Sequence, residues 1–288
     1  MGIQRRLKNG VEDKTILAKS NAIRYTGTMF GFLIKKTFFD LWDNLFKIVL
    51  INIGFLAVVA APVFIPPLIP SALLSITMLI AGVLCCCVYL AAASSCLKRV
   101  SDYSFFGFRD FFAAFKKTWL SGLVLGAVVI LAGIIVTVVL PFYFRMANPL
   151  GWGLGVLLFW FLAAATLSFQ FFLTVRSRMD NPIRVSVKKC FLIFFDNLGF
   201  CVFSFIHNLI LLALSVFLAF MLPGPAGILL FLDEGFRLRL LKYDWLEAHP
   251  EAVASGKRPK IPWDELLIDE REKTGTRSFK SFIFPWKD

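Results

Sequence analysis

Residues 46–69, FKIVLINIGFLAVVAAPVFIPPLI, decide the fold, because they form a long apolar stretch with a single charged side chain, Lys47. An α-helix rises about 1.5 Å per residue, so roughly 20 apolar residues cross the ~30 Å hydrocarbon layer of a bilayer. The stretch therefore predicts a membrane-spanning helix. Four further segments of similar length and composition predict the same: 71–97, 120–144, 150–175 and 198–222.

The composition of the whole chain favours a membrane protein over a soluble one. Hydrophobic residues make up 58% of the 288 residues and charged residues 17%, against about 45–50% and about 25% in soluble domains. The mean hydropathy is +0.74. This apolar excess is too large for one water-soluble core, so the lipid bilayer is the first predicted partner.

A sixth segment, residues 224–243, carries too many charges to be assigned as a span from hydropathy alone. If it crosses, 30 of the 31 Lys and Arg residues lie on one side of the membrane, with Arg145 the exception. Basic residues collect on the cytoplasmic side, so this distribution predicts that both termini are cytoplasmic. If the segment does not cross, the basic tail becomes a translocated domain, which is the alternative.

These segments predict an all-α fold, a polytopic membrane helical bundle of six transmembrane helices arranged as three hairpins. Aromatic residues mixed with lysines precede the first, third and fifth spans at 35–45, 111–119 and 188–198, a pattern typical of interfacial amphipathic helices. The predicted organisation is a cytoplasmic segment, 1–34, a transmembrane domain, 35–245, and a cytoplasmic tail, 246–288.

The chain lacks the common motifs of enzymes, cofactor sites and metal sites. It contains no GxxxxGK[ST] phosphate loop, no HExxH and no GxSxG. Cys85, Cys86 and Cys87 are consecutive within an apolar run and have no histidine at a zinc-ligand spacing, which indicates helix packing. The net charge of +12 is explained by membrane orientation, so nucleic acid is not a predicted partner. We expect a non-enzymatic protein without cofactor or metal.

Polar residues inside the predicted spans are the candidate site, because such residues are costly in lipid and tend to face the bundle interior. They are Asn52, Gln170, His207, Asn208, Asp233, Glu234 and Arg237. One interpretation is a pathway for a hydrophilic solute, and the other is interhelical hydrogen bonding worth about 0.6 kcal/mol per bond. Asn52 and Gln170 favour the second, whereas His207 and Asn208 fit either.

Asp233 and Arg237 are four residues apart, so they share a helix face on which each can neutralise the other. Counted from Pro223, Asp233 lies roughly 15 Å along the sixth helix, near mid-bilayer. A charge at that depth costs about 2.5–3.5 kcal/mol on insertion scales. Either the pair lines a wet cavity, or the sixth helix is tilted and mostly cytoplasmic.

Residues 35–245 resemble the YesL-like family of bacterial integral membrane proteins, a family of unknown function. The resemblance rests on FFDLWDNL at 38–45, followed by a span with Asn52 and a proline-rich turn. It also rests on FRDFFAAFK at 108–116 and on the basic approach to the fifth span. The chain departs from the family pattern in its long N-terminal segment and in its tail after Trp245.

The resemblance implies a six-span protein of the bacterial inner membrane. Family members are often encoded beside ABC importers for oligosaccharides, which implies an accessory role in carbohydrate uptake, with importer permease subunits as partners. It assigns no catalytic or binding residues. The first hypothesis is therefore an accessory subunit, the second a transporter or channel using polar residues of spans five and six, and the last a membrane-embedded enzyme.

Overall fold

The computed structural model describes residues 29–146, 148–251, 259, 261–275 and 277. The regular elements of these residues are all helical, without a strand. Five helical segments are long and apolar enough to cross a membrane: Leu45–Leu68, Ala72–Ser101, Phe108–Arg145, Pro149–Arg178 and Leu198–Phe217. They coincide with the five apolar segments of the sequence, so the predicted all-α fold with five helices long enough to span a membrane is confirmed. The sixth segment, 224–243, does not meet the same criterion among the described residues.

The helices follow one another along the chain with short connections. Those of the membrane region are α1 (Met29–Asp43), α2 (Leu45–Phe64), α3 (Ala72–Ser101), α4 (Phe108–Ile134), α5 (Leu140–Arg145), α6 (Pro149–Phe169), α7 (Phe172–Arg178), α8 (Ile183–Asp196), α9 (Leu198–Phe217) and α10 (Gly224–Ala248). A 3₁₀ turn, Pro66–Leu68, connects α2 to α3, and a π-helix, Ile135–Val139, joins α4 to α5. Two short helices follow in the tail, α11 (Trp263–Leu266) and α12 (Ile268–Thr274).

Two of the three predicted interfacial segments form separate helices, and the third does not. An Asp-Asn pair interrupts the helix between α1 and α2 and again between α8 and α9. Asn44 Nδ2 donates to the Asp40 carbonyl at 3.1 Å, and Asn197 Nδ2 donates to the Ile193 carbonyl at 3.5 Å. Such side chains compete with the backbone for helix hydrogen bonds, which favours a break. The third segment lacks an asparagine, and α4 runs through it without interruption.

Helices α3 and α4 pack closely because glycine removes a side chain from their interface. A Cβ added to Gly122 would lie 2.4 Å from the Cα of Val88. Tyr89 of α3 contacts both neighbouring helices. Its hydroxyl donates to the Ile51 carbonyl of α2 at 2.8 Å, and its ring lies 5.4 Å from that of Phe111 on α4. Small residues let helix backbones approach in lipid, where burial from water does not drive association.

The chain divides into two compact units, residues 40–237 and the combined chain ends, 1–39 with 238–288. This division differs from the predicted boundaries at 34/35 and 245/246, because the first part of α1 and the last part of α10 group with the tail. In the unit of the chain ends, Arg239 lies 5.5 Å from the Trp263 ring and Leu267 is fully buried. The predicted N-terminal segment up to residue 28 and the terminal aromatics Phe282, Phe284 and Trp286 lie outside the described residues.

Candidate functional site

Two aspartates and two arginines from three helices form an ion cluster at one end of the 40–237 unit. Arg178, the last residue of α7, makes two bonds to the carboxylate of Asp233 on α10, with 2.9 Å between Nε and Oδ1. Its Nη1 also lies 3.1 Å from Asp102 Oδ1, just after α3. Arg237 Nη1 lies 3.1 Å from the same oxygen and also donates to the Ser101 carbonyl. The four formal charges sum to zero.

The cluster corrects the predicted partnership between Asp233 and Arg237. Asp233 pairs with Arg178 on a different helix, and Arg237 pairs with Asp102. The side chains of Asp233 and Arg178 are only 1% and 8% exposed. A bidentate arginine–carboxylate pair has a fixed geometry, and a second carboxylate and a serine hydroxyl accept from two further donors of Arg178. The cluster therefore ties α3, α7 and α10 together.

Sequence reasoning did not identify Asp102 or Arg178 as parts of this site, because both sit just past the ends of predicted spans. At these positions Arg178 counts only among the basic residues that set orientation, and Asp102 enters no prediction. A usable signal was present, since Asp102 is one of few acidic residues near the ends of the second and fourth spans. An acidic residue among basic neighbours at a helix end suggests an interhelical partner.

Asn52 of α2 clamps the connection between α9 and α10. Its amide nitrogen donates to the carbonyls of Met221 and Pro223, both at 2.9 Å, and its amide oxygen accepts from the backbone N–H of Ala226 at 2.9 Å. The side chain is completely buried. Asn52 therefore caps the first turn of α10 from another helix, satisfying one of the N–H groups that a helix start leaves unpaired.

The turn itself is shaped to receive this clamp. Gly224 has a φ of 60°, in the left-handed region that favours glycine. A Cβ at Gly224 would lie 2.3 Å from Asn52 Nδ2. The hydroxyl of Ser215 on α9 accepts from the Gly224 N–H at 2.9 Å. These contacts fix the helix ends on both sides of the turn against α2.

The clamp locates the α9–α10 turn beside the first third of α2. Asn52 is seven residues from the first residue of α2, about 10 Å, and twelve from the last, about 18 Å. Ala226 is likewise about 10 Å along α10 from Asp233. The turn after Met221 thus stops about 18 Å, measured along α2, short of the level of the α2–α3 turn. The sequence had predicted both turns on the same outer surface.

The start of α9 contacts the connection between α6 and α7. Gln170, between α6 and α7, donates its Nε2 to the Cys201 carbonyl at 3.0 Å, and Phe171 stacks on Phe200 with ring centroids 5.4 Å apart. These contacts fix the first turn of α9 against the connection between α6 and α7, and α9 itself is long and apolar enough to cross a bilayer.

Three of the predicted polar residues keep buried atoms without a hydrogen-bond partner among the described residues. These atoms are Oε1 of Gln170, Nδ1 of His207 and Oδ1 of Asn208. The His207 ring stacks on Phe231 of α10 at 3.8 Å between centroids. Ser204, one turn before His207, also has an unpartnered buried hydroxyl. Buried polar groups are normally satisfied, so this face of α9 is unusual.

The remaining candidate, Glu234, is completely buried beside Asp233 on α10. Among the described residues, no three His, Cys, Asp or Glu side chains are grouped closely enough to hold a metal ion.

Burial raises the pKa of the Cys190 thiol on α8 to about 12. The thiol is therefore protonated near neutral pH, and the thiolate is the nucleophilic form of cysteine.

No family model, curated protein or solved structure matches the chain. Membership of the YesL-like family therefore stays a prediction.

Proposed function

We propose that the chain is a non-enzymatic protein of the bacterial inner membrane that serves as an accessory subunit of a membrane complex, such as a carbohydrate ABC importer. The observation that carries the proposal is how the polar groups of the bundle are used. Asn52 and the ion cluster hold helices together, and their hydrogen-bonding groups face one another. A solute pathway would require such groups to face a cavity instead.

The partner class in this proposal comes from the resemblance of residues 35–245 to the YesL-like family. The tail after Trp245 is one of two segments that depart from the family pattern, and it carries both acidic and basic residues. Asp264 and Arg271 within it pair at 3.1 Å. We assign the partner contact to this tail, because charged groups of both signs at an interface favour specific over nonspecific partners.

The membrane topology that we propose keeps both termini in the cytoplasm but changes the path of the last hairpin. Four segments cross fully, ending at Leu68, Ser101, Arg145 and Arg178. Helices α9 and α10 then enter from the cytoplasmic side, turn beside Asn52, and return. The basic residues after α10 remain on the cytoplasmic side, as the positive-inside rule requires. The charge count alone is the same for this path and for six full crossings.

A second function has its own observation. The unpartnered atoms of Ser204, His207 and Asn208 lie toward one side of α9, since His207 and Asn208 follow Ser204 by three and four positions. In a transporter or channel such groups would bind a passing hydrophilic solute. This alternative uses the same helix hairpin and requires no partner protein.

The experiment that separates the two functions is gentle detergent extraction of the tagged full-length protein from its native membrane, followed by mass spectrometry. The accessory function predicts stoichiometric recovery of importer permease or ATPase subunits. Recovery of the chain alone would contradict a stable complex. In that case, uptake of a labelled oligosaccharide into liposomes containing the purified protein tests the transporter function.

Two variants serve as matched controls in that extraction. Deletion of residues 250–288 is expected to lose the partner while the membrane region is still inserted and extracted. The double variant His207→Ala, Asn208→Ala is expected to retain the partner. The opposite pattern, with partner lost only in the double variant, would move the contact from the tail to α9.

A further inference from the structure

A basic depression lies between α3, α4 and α7, away from the ion cluster contacts of Arg178. We name it the Arg176 pocket; it is a shallow depression that is open to the surroundings. Its polar lining residues are Lys117, Thr118, Ser121, Arg176, Ser177 and Asp180, and Ala91 and Leu173 add an apolar wall. Neither the proposed partner contact nor the solute pathway uses these residues.

Arg176 is held in place by neutral oxygen atoms rather than by a carboxylate. Its Nε donates to the Ser121 hydroxyl at 3.0 Å, and its Nη1 donates to the Asn181 carbonyl. Ser121 is itself buried, with 4% of its surface exposed. Among the described residues, no carboxylate forms an ion pair with Arg176. Its guanidinium therefore keeps its positive charge and its third nitrogen, Nη2, for a ligand.

Arg178, two residues further along α7, shows the opposite arrangement. It contacts two carboxylates, Asp102 and Asp233, so its charge is neutralised within the protein. A half-buried arginine without such a partner favours an anion from outside. A planar guanidinium with free donors binds phosphate oxygens well, which makes phosphate the ligand class that fits.

The other charges around the Arg176 pocket favour an anion as well. Lys117 faces it and pairs at 3.5 Å with Asp180, but their side chains are 72% and 87% exposed. Such a pair is weak, and both side chains can rotate away. Lys98 approaches from α3, where its Nζ donates to the Ser177 carbonyl at 3.1 Å. Asp180 is thus the one lining residue that opposes an anion.

The level of the pocket points to a lipid as the source of the phosphate. Trp119 and Leu120 directly follow Thr118 on α4 and are 52% and 49% exposed. Tryptophan is enriched at the depth of lipid headgroups, and basic pockets between membrane helices on the cytoplasmic side bind anionic headgroups. We propose that the Arg176 pocket binds the phosphate group of an anionic phospholipid, with the acyl chains beside the exposed apolar surface of α4.

The test is a titration of the purified full-length protein in detergent with three ligands: dioctanoyl phosphatidylglycerol, dioctanoyl phosphatidylcholine and inorganic phosphate. We expect phosphatidylglycerol to bind the wild type at least tenfold more tightly than either of the others. Inorganic phosphate binding as tightly as phosphatidylglycerol would overturn the lipid source, with free phosphate then the ligand of the same pocket.

Variants locate the binding to this pocket. Arg176→Gln is expected to weaken phosphatidylglycerol binding at least tenfold, and Asp180→Asn to tighten it severalfold. Arg109→Gln, which removes an exposed charge near the start of α4, is the matched control and is expected to change nothing. An unchanged affinity in Arg176→Gln, or an equal loss in Arg109→Gln, would overturn the proposal. The gain in Asp180→Asn does not depend on whether Arg176→Gln folds.

Discussion

The α2–α3 and α9–α10 hairpins are both built from two helices and a short proline-containing turn, but they are held in different ways. The α2–α3 hairpin relies on close packing: a Cβ at Gly82 would lie 2.2 Å from the Cβ of Pro62. The α9–α10 hairpin relies on polar contacts, with Asn52 at its tip and Asp233 near the middle of α10. The first turns beyond the end of α2, whereas the second turns beside the first third of α2.

This difference shows what polar residues would do in a hairpin that turns within the membrane, as proposed for α9 and α10. A turn inside the membrane has backbone groups that neither water nor regular helix bonds satisfy. Asn52 supplies one acceptor and two donor bonds to that turn, and Ser215 supplies a further acceptor. The turn of the α2–α3 hairpin accepts a bond from Ser75 of its own α3, at 3.1 Å to the Pro66 carbonyl, but among the hydrogen bonds of the described residues none comes to it from a third helix.

The largest expected effect comes from removing the acidic partner in the ion cluster. In Asp233→Ala, the charge of Arg178 loses its bidentate partner in a buried site, so we expect a loss of about 3–5 kcal/mol in the free energy of unfolding. The measurement is SDS-induced unfolding of the purified protein followed by circular dichroism. Asp180→Ala, which breaks the exposed pair with Lys117, is the control and should cost about 0–1 kcal/mol. Equal losses in the two variants would contradict the anchoring role of the cluster.

The tip of the same hairpin is the next test. Asn52→Leu leaves the Ala226 N–H and the carbonyls of Met221 and Pro223 without their partner, and each buried unsatisfied group costs about 1–3 kcal/mol. Because the turn can relax, we expect a total loss of about 2–3 kcal/mol in the same SDS titration. A variant as stable as the wild type would show that Asn52 does not hold the turn.

The packed hairpin is tested by adding one methyl group. Gly82→Ala forces the Pro62 ring away from α3, and overpacking of this kind costs about 1–3 kcal/mol, partly offset by the higher helix propensity of alanine. Gly133→Ala on α4 is the control, because a Cβ there meets nothing within 4 Å. We expect a net loss of about 1 kcal/mol in the first variant and none in the second. Equal stabilities would indicate that α2 and α3 are less tightly packed than the structure shows.

The smallest effect is expected at Asn208 on α9, in the same hairpin as the turn that Asn52 holds. Its buried Oδ1 has no hydrogen-bond partner among the described residues. Replacing an unsatisfied polar group by an apolar one is nearly neutral or stabilising. Asn208→Leu should therefore change the free energy of unfolding by less than about 0.5 kcal/mol, in contrast with Asn52→Leu. A loss as large as that of Asn52→Leu would mean that Asn208 has a structural partner.

Much of the fold was predictable from the sequence, because hydropathy and charge act over whole segments. The five apolar segments coincide with the long helices, and the aromatic stretches at 35–45 and 188–198 lie largely in the separate helices α1 and α8. The uninterrupted α4 was not expected, although the missing asparagine distinguished its start from the other two segments.

The candidate site was predictable by residue but not by partner. Asn52 and Asp233 are buried and Arg237 is partly buried, and the sequence pointed to all three because polar residues in apolar segments are rare enough to notice. Their partners, Asp102, Arg178 and the turn at Met221, are more than 50 residues away from them in sequence. Neither periodicity nor charge counting contains information on such contacts. For the same reason the depth of the α9–α10 turn could not be derived from hydropathy.

The most direct test of the proposed path of α9 and α10 is labelling of single introduced cysteines with a membrane-impermeant maleimide on intact spheroplasts. Leu68→Cys lies in the α2–α3 turn, where the native side chain is 80% exposed, and Met221→Cys lies in the α9–α10 turn. The parent protein with its six native cysteines gives the background. A hairpin that turns within the membrane predicts rapid labelling of Leu68→Cys and background labelling of Met221→Cys. Equal, rapid labelling of both from outside would contradict it and restore six full crossings.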